Sequence, residues 1–352
     1  MSHPNNMRAA LMWAQSMQGD PVTGLRLAGA LWWFWFMRSY INEARAWLSS
    51  ALDRGGNAPA PVRAKVLPRA GILAWFQSDF AQAQMWCTEG LALCRELGDT
   101  IGVSYALHGL GLVALEHGDP SAAEYFVAGL ELSRALQHIW GTAWSLLRLG
   151  QSTWLFASND SARATELLNE SLDLFQLMSD EMGMAHALFL LGDIALRQGD
   201  IHGARSHYEQ SLCLSWRCEE KGTAIWALRG LGQVGRHLSL YEQAAEWYHK
   251  SLVLSRELRE QRGIVVGLEG LASVVIRQGQ PAPATALLAA ADALRNKINY
   301  PLIPAWRADY EDTLDLARAG LGNAAFAAAW RAGRVLTTEQ ALTIASRATA
   351  IQ

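Results

Sequence analysis

The pattern of apolar and polar positions between residues 183 and 220 predicts two helices joined by a tight turn. In the first stretch, apolar residues recur at three- and four-residue intervals from Ala187 to Leu196. Gln198-Gly199-Asp200 then interrupts the pattern with a glycine, which ends helices, and an aspartate, which caps helix starts. A second stretch with helical spacing follows from Ala204 to Leu214. The segment is therefore predicted to be a helix-turn-helix unit.

The same unit recurs along most of the chain when the second helices are aligned on one alanine. That alanine recurs every 39 to 42 residues, at Ala44, Ala83, Ala122, Ala164, Ala204, Ala244 and Ala284. Four residues later stands a residue that can fill a core, namely Leu48, Cys87, Phe126, Leu168, Tyr208, Tyr248 or Leu288. Seven residues later stands a small residue, namely Ala51, Gly90, Gly129, Ser171, Ser211, Ser251 or Ala291. Because steps of four and three fall on one helix face, these positions are predicted to pack together.

The first helices of the units share a glycine of their own. It stands at Gly71, Gly111, Gly150, Gly192 and Gly232, with Trp32 and Ala272 in the equivalent positions at the two ends. A glycine inside a helix costs about 1 kcal/mol relative to alanine. Five such glycines in register therefore indicate a shared packing reason, and we predict close helix–helix approach.

The repeat pattern is interrupted at defined places. Pro68 falls within a predicted first helix, where it would either kink the helix or mark its first turn near Leu67. Two extra residues lie in the turn at 157–160. After Asn296 the register fades, and three further helices are predicted at 306–321, 323–332 and 337–346. We expect an N-terminal capping helix in 1–22, seven repeats in 23–296, and C-terminal capping helices in 297–352.

This combination of small residue, glycine, alanine and large apolar residue resembles the tetratricopeptide repeat. The usual period of that repeat is about 34 residues, whereas the spacing here is 39 to 42, which would lengthen both helices. The resemblance implies an all-α fold, a right-handed α-solenoid of about seven helix-turn-helix repeats with terminal capping helices.

Both ends of the chain resemble the C-terminal sensor region of bacterial signal-transduction ATPases and LuxR-type transcriptional regulators. Residues 6–13 (NMRAALMW) and 24–32 (GLRLAGALW) are similar to the entry segment of that region, and 326–334 (FAAAWRAGR) to its closing segment. In those regulators the repeats follow a P-loop nucleotide switch and a winged helix. The resemblance implies a sensor or scaffold module in bacterial signalling or transcription regulation.

The sequence departs from those regulators in one respect that limits the resemblance. It has no Gly-x-x-x-x-Gly-Lys-Ser/Thr motif, and the nearest run, GLGQVGRH at 230–237, lacks the Lys-Ser/Thr pair. Nucleotide hydrolysis and DNA binding are therefore not implied for these residues. The alternative interpretation is a detached or partner-dependent part of a regulatory P-loop ATPase that acts as a transcriptional regulator.

Composition and charge narrow the function classes further. Apolar residues make up 51% of the chain and charged residues 18%, as in a globular protein, and the formal net charge is −3. This charge gives no general attraction to nucleic acids or anionic membranes, so neither is an expected partner. The most apolar run, 27–37, is shorter than the roughly 20 residues of a membrane-spanning helix. With a polar N-terminus and four cysteines, the expected location is the cytoplasm.

No residue pattern in the sequence indicates catalysis, a metal or a cofactor. Of the nine histidines, His202 and His207 are five residues apart and do not share a helix face, while His237 follows Arg236. No Gly-x-Ser-x-Gly motif occurs, and the carboxylates are spread over helix surfaces. We therefore expect a non-enzymatic protein with neither metal nor cofactor.

The candidate ligand-binding positions lie on the first helices, which line the concave side of tetratricopeptide solenoids. The residues placed there by the repeat register are aromatic toward the N-terminus and basic toward the C-terminus: Trp144, Trp154, His186, Arg197, Trp226, Arg229, Gln233, Arg236 and Arg277. The alternative interpretation of the tryptophans is that they fill the core. The arginines suit carboxylates or phosphates, and Arg229 and Arg236 are expected to face solvent. The expected partner is a protein or peptide, in particular an acidic segment with large apolar side chains, or a small effector.

Overall fold

The fold was analysed in a computed structural model, which describes residues 3–16, 19–37, 40–156 and 160–349. These residues form eighteen α-helices and no strand. In chain order they are α1 His3–Ala14, α2 Pro21–Met37, α3 Ile41–Arg54, α4 Ala60–Phe76, α5 Phe80–Leu97, α6 Thr100–Glu116, α7 Ala122–Ala135, α8 Ile139–Phe156, α9 Ser161–Met178, α10 Glu181–Arg197, α11 Ile201–Arg217, α12 Lys221–His237, α13 Tyr241–Leu258, α14 Gln261–Arg277, α15 Pro281–Lys297, α16 Pro304–Leu321, α17 Asn323–Arg334 and α18 Thr338–Thr349.

The chain forms two compact units, Met1–Arg148 (unit 1) and Leu149–Gln352 (unit 2). Within each unit, helices pack on the next helix and on the next but one, as α10 does on α11 and α12. This sequential packing is the arrangement of an α-solenoid and confirms the predicted fold class. Helices α16, α17 and α18 pack on α14 and α15 at the C-terminal end of unit 2. None of the described helices has the length and hydropathy of a membrane-spanning segment.

The turns repeat as regularly as the helices. Gly199, after α10, has a φ of +83°, a left-handed conformation that glycine adopts without strain. The carboxylate of Asp200 then accepts a hydrogen bond of 2.9 Å from the backbone N–H of Gly203 and caps α11. Carboxylates cap further helices in the same way, at Asp79, Asp99, Asp160, Asp180, Glu220 and Glu260. The predicted stop-and-start role of Gln198-Gly199-Asp200 is therefore confirmed.

The glycines of the first helices make room for the large side chain of the second helices, which is a ring at Phe126, Tyr208 and Tyr248. Tyr208 lies between Gly192 on α10 and Gly230 on α12, and a Cβ atom at Gly192 would come within 2.7 Å of Tyr208 Cε1. Tyr248 lies in the same way between Gly232 and Gly270, where an added Cβ would overlap the ring. Each ring thus joins two consecutive units, which is the close approach that the glycine register predicts.

The small residue of the second helices, seven positions after the shared alanine, also forms a hydrogen bond where it is serine. Ser211 is fully buried, and its hydroxyl donates a hydrogen bond of 2.7 Å to the carbonyl oxygen of Ala185. Ser251, forty residues later, donates in the same way to Ile225, at 2.9 Å. The serine therefore admits the neighbouring helix and also binds its backbone, so the predicted repeat face is confirmed by burial and by contact.

The helix boundaries resolve the prediction made for Pro68. Helix α4 begins at Ala60 and continues through Pro68 to Phe76, so the alternative in which Pro68 marks a first turn is wrong. The proline ring faces Gly90 of α5, where an added Cβ would lie 2.8 Å from Pro68 Cδ. The predicted insertion at 157–160 lies mostly outside the described residues, because 157–159 are not among them.

Candidate functional site

A buried ion pair joins α10 and α12 of unit 2. Arg229 on α12 donates from one Nη2 atom to both carboxylate oxygens of Asp193 on α10, at 2.8 and 3.0 Å. The hydroxyl of Tyr208 donates to the same carboxylate at 2.5 Å. All three side chains are buried. Burial raises the pKa of Asp193, and the charge of Arg229 opposes that shift. The carboxylate is therefore held by two donors in a site that excludes water.

The Arg229 guanidinium also lies against aromatic rings. Its central carbon lies 4.9 Å from the ring centroid of Trp306 on α16 and 5.8 Å from that of Trp226. Trp306 and Trp226 stack on each other with 6.4 Å between centroids and 22° between planes. This arrangement is a cation–π contact on a stacked aromatic pair, and it ties α16 to α12.

Two carboxylates of α16 bind two further arginines of unit 2. Arg236 Nη2 lies 2.7 Å from Asp309 Oδ2, and Arg277 Nη2 lies 2.5 Å from Asp312 Oδ2. We call Arg229, Arg236 and Arg277 the arginine face. Helix α16 covers this face with one indole and two carboxylates, and we call it the covering helix.

A cleft remains between the covering helix and the arginine face. It is about 490 Å³ in volume, counted to its opening to solvent. Gln233 of α12 and Glu269 of α14 line it together with Tyr310 of the covering helix. Glu269 is not free, because it accepts a hydrogen bond of 2.6 Å from Arg295.

The structure brings together four of the residues predicted for ligand binding, namely Trp226, Arg229, Gln233 and Arg236, and it places Arg277 beside them. The expectation that Arg229 and Arg236 face solvent is wrong. They are only 3% and 8% exposed, because Asp193 and the covering helix enclose them.

The other predicted positions are dispersed. His186 lies within hydrogen-bonding distance of the hydroxyl of Thr223, at 2.9 Å. Arg197 is exposed in the last turn of α10. Trp154, in unit 2, and Trp144, in unit 1, are each 7% exposed, as core tryptophans are. Whether any of them contacts a ligand stays a prediction.

Unit 1 has an aromatic cluster in place of an arginine face. Trp33 of α2 packs against Trp140 of α8 with ring centroids 5.4 Å apart, and against Phe36 at 5.5 Å. Phe36 contacts Phe76 of α4 at 5.1 Å, and Tyr105 of α6 contacts Trp140 at 6.2 Å. Because rings from four first helices meet, the cluster stabilises the packing of these helices on one another.

His108, beside this cluster, makes the stability of the protein pH-dependent. Burial, and then the charge of Arg148, lower the pKa of His108 from 6.5 to about 3. The unfolded chain keeps the ordinary pKa, so it takes up the proton first and stability is lost as the pH falls from about 6.5 toward 3. We expect His108→Gln to remove about 2–3 kcal/mol of that loss by roughly pH 4.5. Urea unfolding at several pH values measures it. The exposed His202→Gln is the control, and equal losses in both variants would contradict the assignment.

The role of α16 was missed by sequence reasoning, which treats it only as a capping helix. A signal was present, because Trp306, Asp309 and Asp312 recur at three-residue steps and so share one helix face. The pairing partner lies far along the chain, however, because Asp309 follows Arg236 by 73 positions. Within the described residues no cluster of His, Cys, Asp and Glu has the arrangement of a metal site.

Comparisons with known proteins agree with this fold. The chain is 26% identical over 209 residues to proteins from Mycobacterium bovis and Mycobacterium tuberculosis that carry the provisional name HTH-type transcriptional regulator. The match covers 56% of this chain and 23% of those proteins, so it spans about a quarter of their length. No protein-family model matches the chain.

Among solved structures, a Rap protein complexed with competence and sporulation factor is similar, with a TM-score of 0.57 and 12% identity. The similarity covers 85% of this chain and 99% of the Rap chain. A STAND protein with a tetratricopeptide repeat sensor from Pyrococcus horikoshii gives a TM-score of 0.44 and 16% identity, over 90% of this chain and 53% of that one. The similarity to the Rap protein supports the helical-repeat fold predicted from the sequence.

Proposed function

We propose that this chain is a non-enzymatic scaffold or sensor module that binds a protein segment at the arginine face of unit 2, in bacterial signalling or transcription regulation. One observation carries the proposal: the covering helix presents Trp306, Asp309 and Asp312 to three arginines and a tryptophan. The face therefore has the chemistry to hold an acidic helical segment that bears an aromatic side chain.

The contacts of the covering helix define what a partner must supply. Two carboxylates three residues apart form charge-assisted hydrogen bonds with guanidinium groups. Because both carboxylates are about half exposed, each pair is worth about 0.2–1 kcal/mol. An indole adds an apolar anchor on Trp226. Because the covering helix is tethered, it competes at an effective concentration on the order of millimolar. A partner with the same chemistry therefore binds in exchange for the covering helix.

A small effector is the second candidate occupant. The cleft beside Gln233 and Tyr310 encloses only about 60 Å³ that water can reach, below the roughly 300–1,000 Å³ of small-molecule sites, so an effector would bind there only by displacing part of the covering helix. The similarity to a Rap protein that was solved with a bound factor supports a binding role on this fold, but the fold alone names no ligand for this chain.

The test uses a labelled peptide that copies residues 304–321 of the covering helix. We expect the parent protein to bind it weakly, since its face is occupied. A variant carrying Trp306→Ala, Asp309→Asn and Asp312→Asn, with a weakened covering helix, should bind it at least about tenfold tighter, and less tightly as salt is raised. Fluorescence anisotropy measures both affinities, and circular dichroism checks that the variant is folded.

The matched control is the same peptide with the three substitutions that the variant carries. It should bind the variant at least about tenfold more weakly than the parent peptide does. Equal binding of both peptides, or no binding of either, would refute the arginine face as an acceptor. The double change of Arg229 and Arg236 to alanine is not a usable test, because it would break the buried pair with Asp193.

The alternative function is a partner-dependent part of a regulatory P-loop ATPase. It is favoured by the match to transcriptional regulators of which this chain spans about a quarter. Its test is co-expression with a P-loop ATPase encoded next to it in the genome. Co-purification in a fixed ratio, together with a change in the partner's ATP turnover, would support this alternative. The outcome of the peptide experiment does not depend on whether this alternative is true.

A further inference from the structure

A second cleft, in unit 1, is lined by cations without a carboxylate among them. It lies between α2 and α4, is about 760 Å³ in volume, counted to its opening to solvent, and takes Arg26 from α2 and Lys65 and Arg69 from α4. Val62 and Val66 form its apolar floor. The two helices approach closely at Gly29, where an added Cβ would lie 2.6 Å from Val66 Cγ2. The cleft is therefore positively charged on its walls and apolar at its base.

Arg69 has no carboxylate partner among the described residues. Its Nη1 atom donates to the backbone carbonyl of Lys65 on its own helix, and its guanidinium lies 5.2 Å from the ring centroid of Tyr105. Its Nε atom is buried and makes no hydrogen bond. Asp99 acts on Arg69 only through space, because its carboxylate caps α6 at Gly102. Burial lowers the pKa of Arg69, in line with the absence of a carboxylate beside it.

Four buried arginines of unit 2, unlike Arg69, lie beside carboxylates. In unit 2, each of four arginines has a carboxylate oxygen at 2.5 to 2.8 Å, and these are Arg229, Arg236, Arg262 and Arg295. A partly buried cation without a counter-charge is costly, and this cost is relieved when an anion binds. At Arg69 the protein supplies no such anion, and the two exposed cations on the same cleft would reinforce one that came from solution.

We infer that the cleft between α2 and α4 is a binding site for a small molecule with a multiply charged anionic head, a phosphate ester or an oligocarboxylate. The head would lie against Arg69, with Lys65 one helical turn away and Arg26 opposite. The apolar part of the molecule would rest on Val62 and Val66. This site lies in the other unit from the arginine face and does not depend on the function proposed for that face.

The test measures binding of inorganic pyrophosphate and of citrate to the full chain by calorimetry, with sodium chloride at matched ionic strength as the control for screening. We expect at least one of the two anions to bind with a Kd below about 1 mM and to raise the melting temperature, since a ligand that binds only the folded state stabilises it. Pyrophosphate alone would indicate a phosphate head, and citrate alone a carboxylate head. Absence of binding by both at about 10 mM would overturn the inference.

Variants distinguish this cleft from general charge effects. Arg26→Gln with Lys65→Gln changes two exposed side chains and should weaken anion binding at least about tenfold. Arg69→Met should abolish binding and raise the melting temperature of the anion-free protein, because an uncompensated charge is removed. Arg95→Gln, an exposed change on α5, should alter neither. If the Arg26/Lys65 double variant binds the anion as tightly as the parent, the site is not this cleft, whether or not Arg69→Met folds.

Discussion

Replacing Asp193 by alanine is expected to destabilise the protein by about 3–5 kcal/mol, because it leaves the charge of a fully buried arginine without its counter-charge. The side chains of Arg229 and Asp193 are 4% and 3% exposed, so water does not replace the hydrogen bonds that Arg229 loses with the carboxylate. The hydroxyl of Tyr208 also loses its acceptor. Chemical denaturation of the purified variant, followed by far-ultraviolet circular dichroism, measures the change.

Two further variants separate the buried pair from ion pairs in general. Glu209→Ala removes an exposed partner of Arg205 on α11 and should cost about 0.5 kcal/mol or less. Asp193→Leu combined with Arg229→Met should recover much of the loss, since an apolar pair of similar size carries no buried charge. A cost below about 1 kcal/mol for Asp193→Ala would mean that Arg229 reaches solvent when its partner is absent.

Introducing leucine at Gly270 is expected to cost about 3 kcal/mol, because its side chain would enter the space of the Tyr248 ring. The chain itself suggests the compensating change. The relevant position lies two residues before the shared glycine position of each first helix. It is glycine at Gly230 and Gly270, where the second helix before it carries Tyr208 or Tyr248. It is leucine at Leu190, where the second helix before it carries Leu168. The match does not extend to every unit, since Gly109 lies against Cys87 and Arg148 follows Phe126, but Leu168 with Leu190 is the precedent in this chain for a leucine at both positions.

The double variant Gly270→Leu with Tyr248→Leu should therefore be less destabilised than the sum of the two single variants, by about 1–3 kcal/mol. Thermal and urea unfolding of the four proteins in this cycle measure the coupling. Additive effects would show that the ring and the glycine do not share one space, and would remove the packing explanation of the glycine register.

Sequence reasoning was effective where the determinant is local and periodic. The alanine register and the caps at residues such as Asp200 depend on neighbours within a few turns, so the helices and their repeat could be predicted. The state of Arg229 could not be predicted, because the register says only which face it lies on. Its burial depends on Asp193, one unit earlier, and on a helix that begins at Pro304. No pattern within one repeat contains that information.

The position of the covering helix in the chain has a consequence during synthesis. Trp306 follows Arg277 by 29 residues, and ribosomes add roughly 5–20 residues per second. The arginine face is therefore complete about 1–6 s before its cover emerges. During this interval the arginine face of a nascent chain lacks its contacts with Trp306, Asp309 and Asp312, and an acidic segment already present at the ribosome does not compete with the covering helix. Binding by a partner during translation and binding after release thus start from two different states of the same surface.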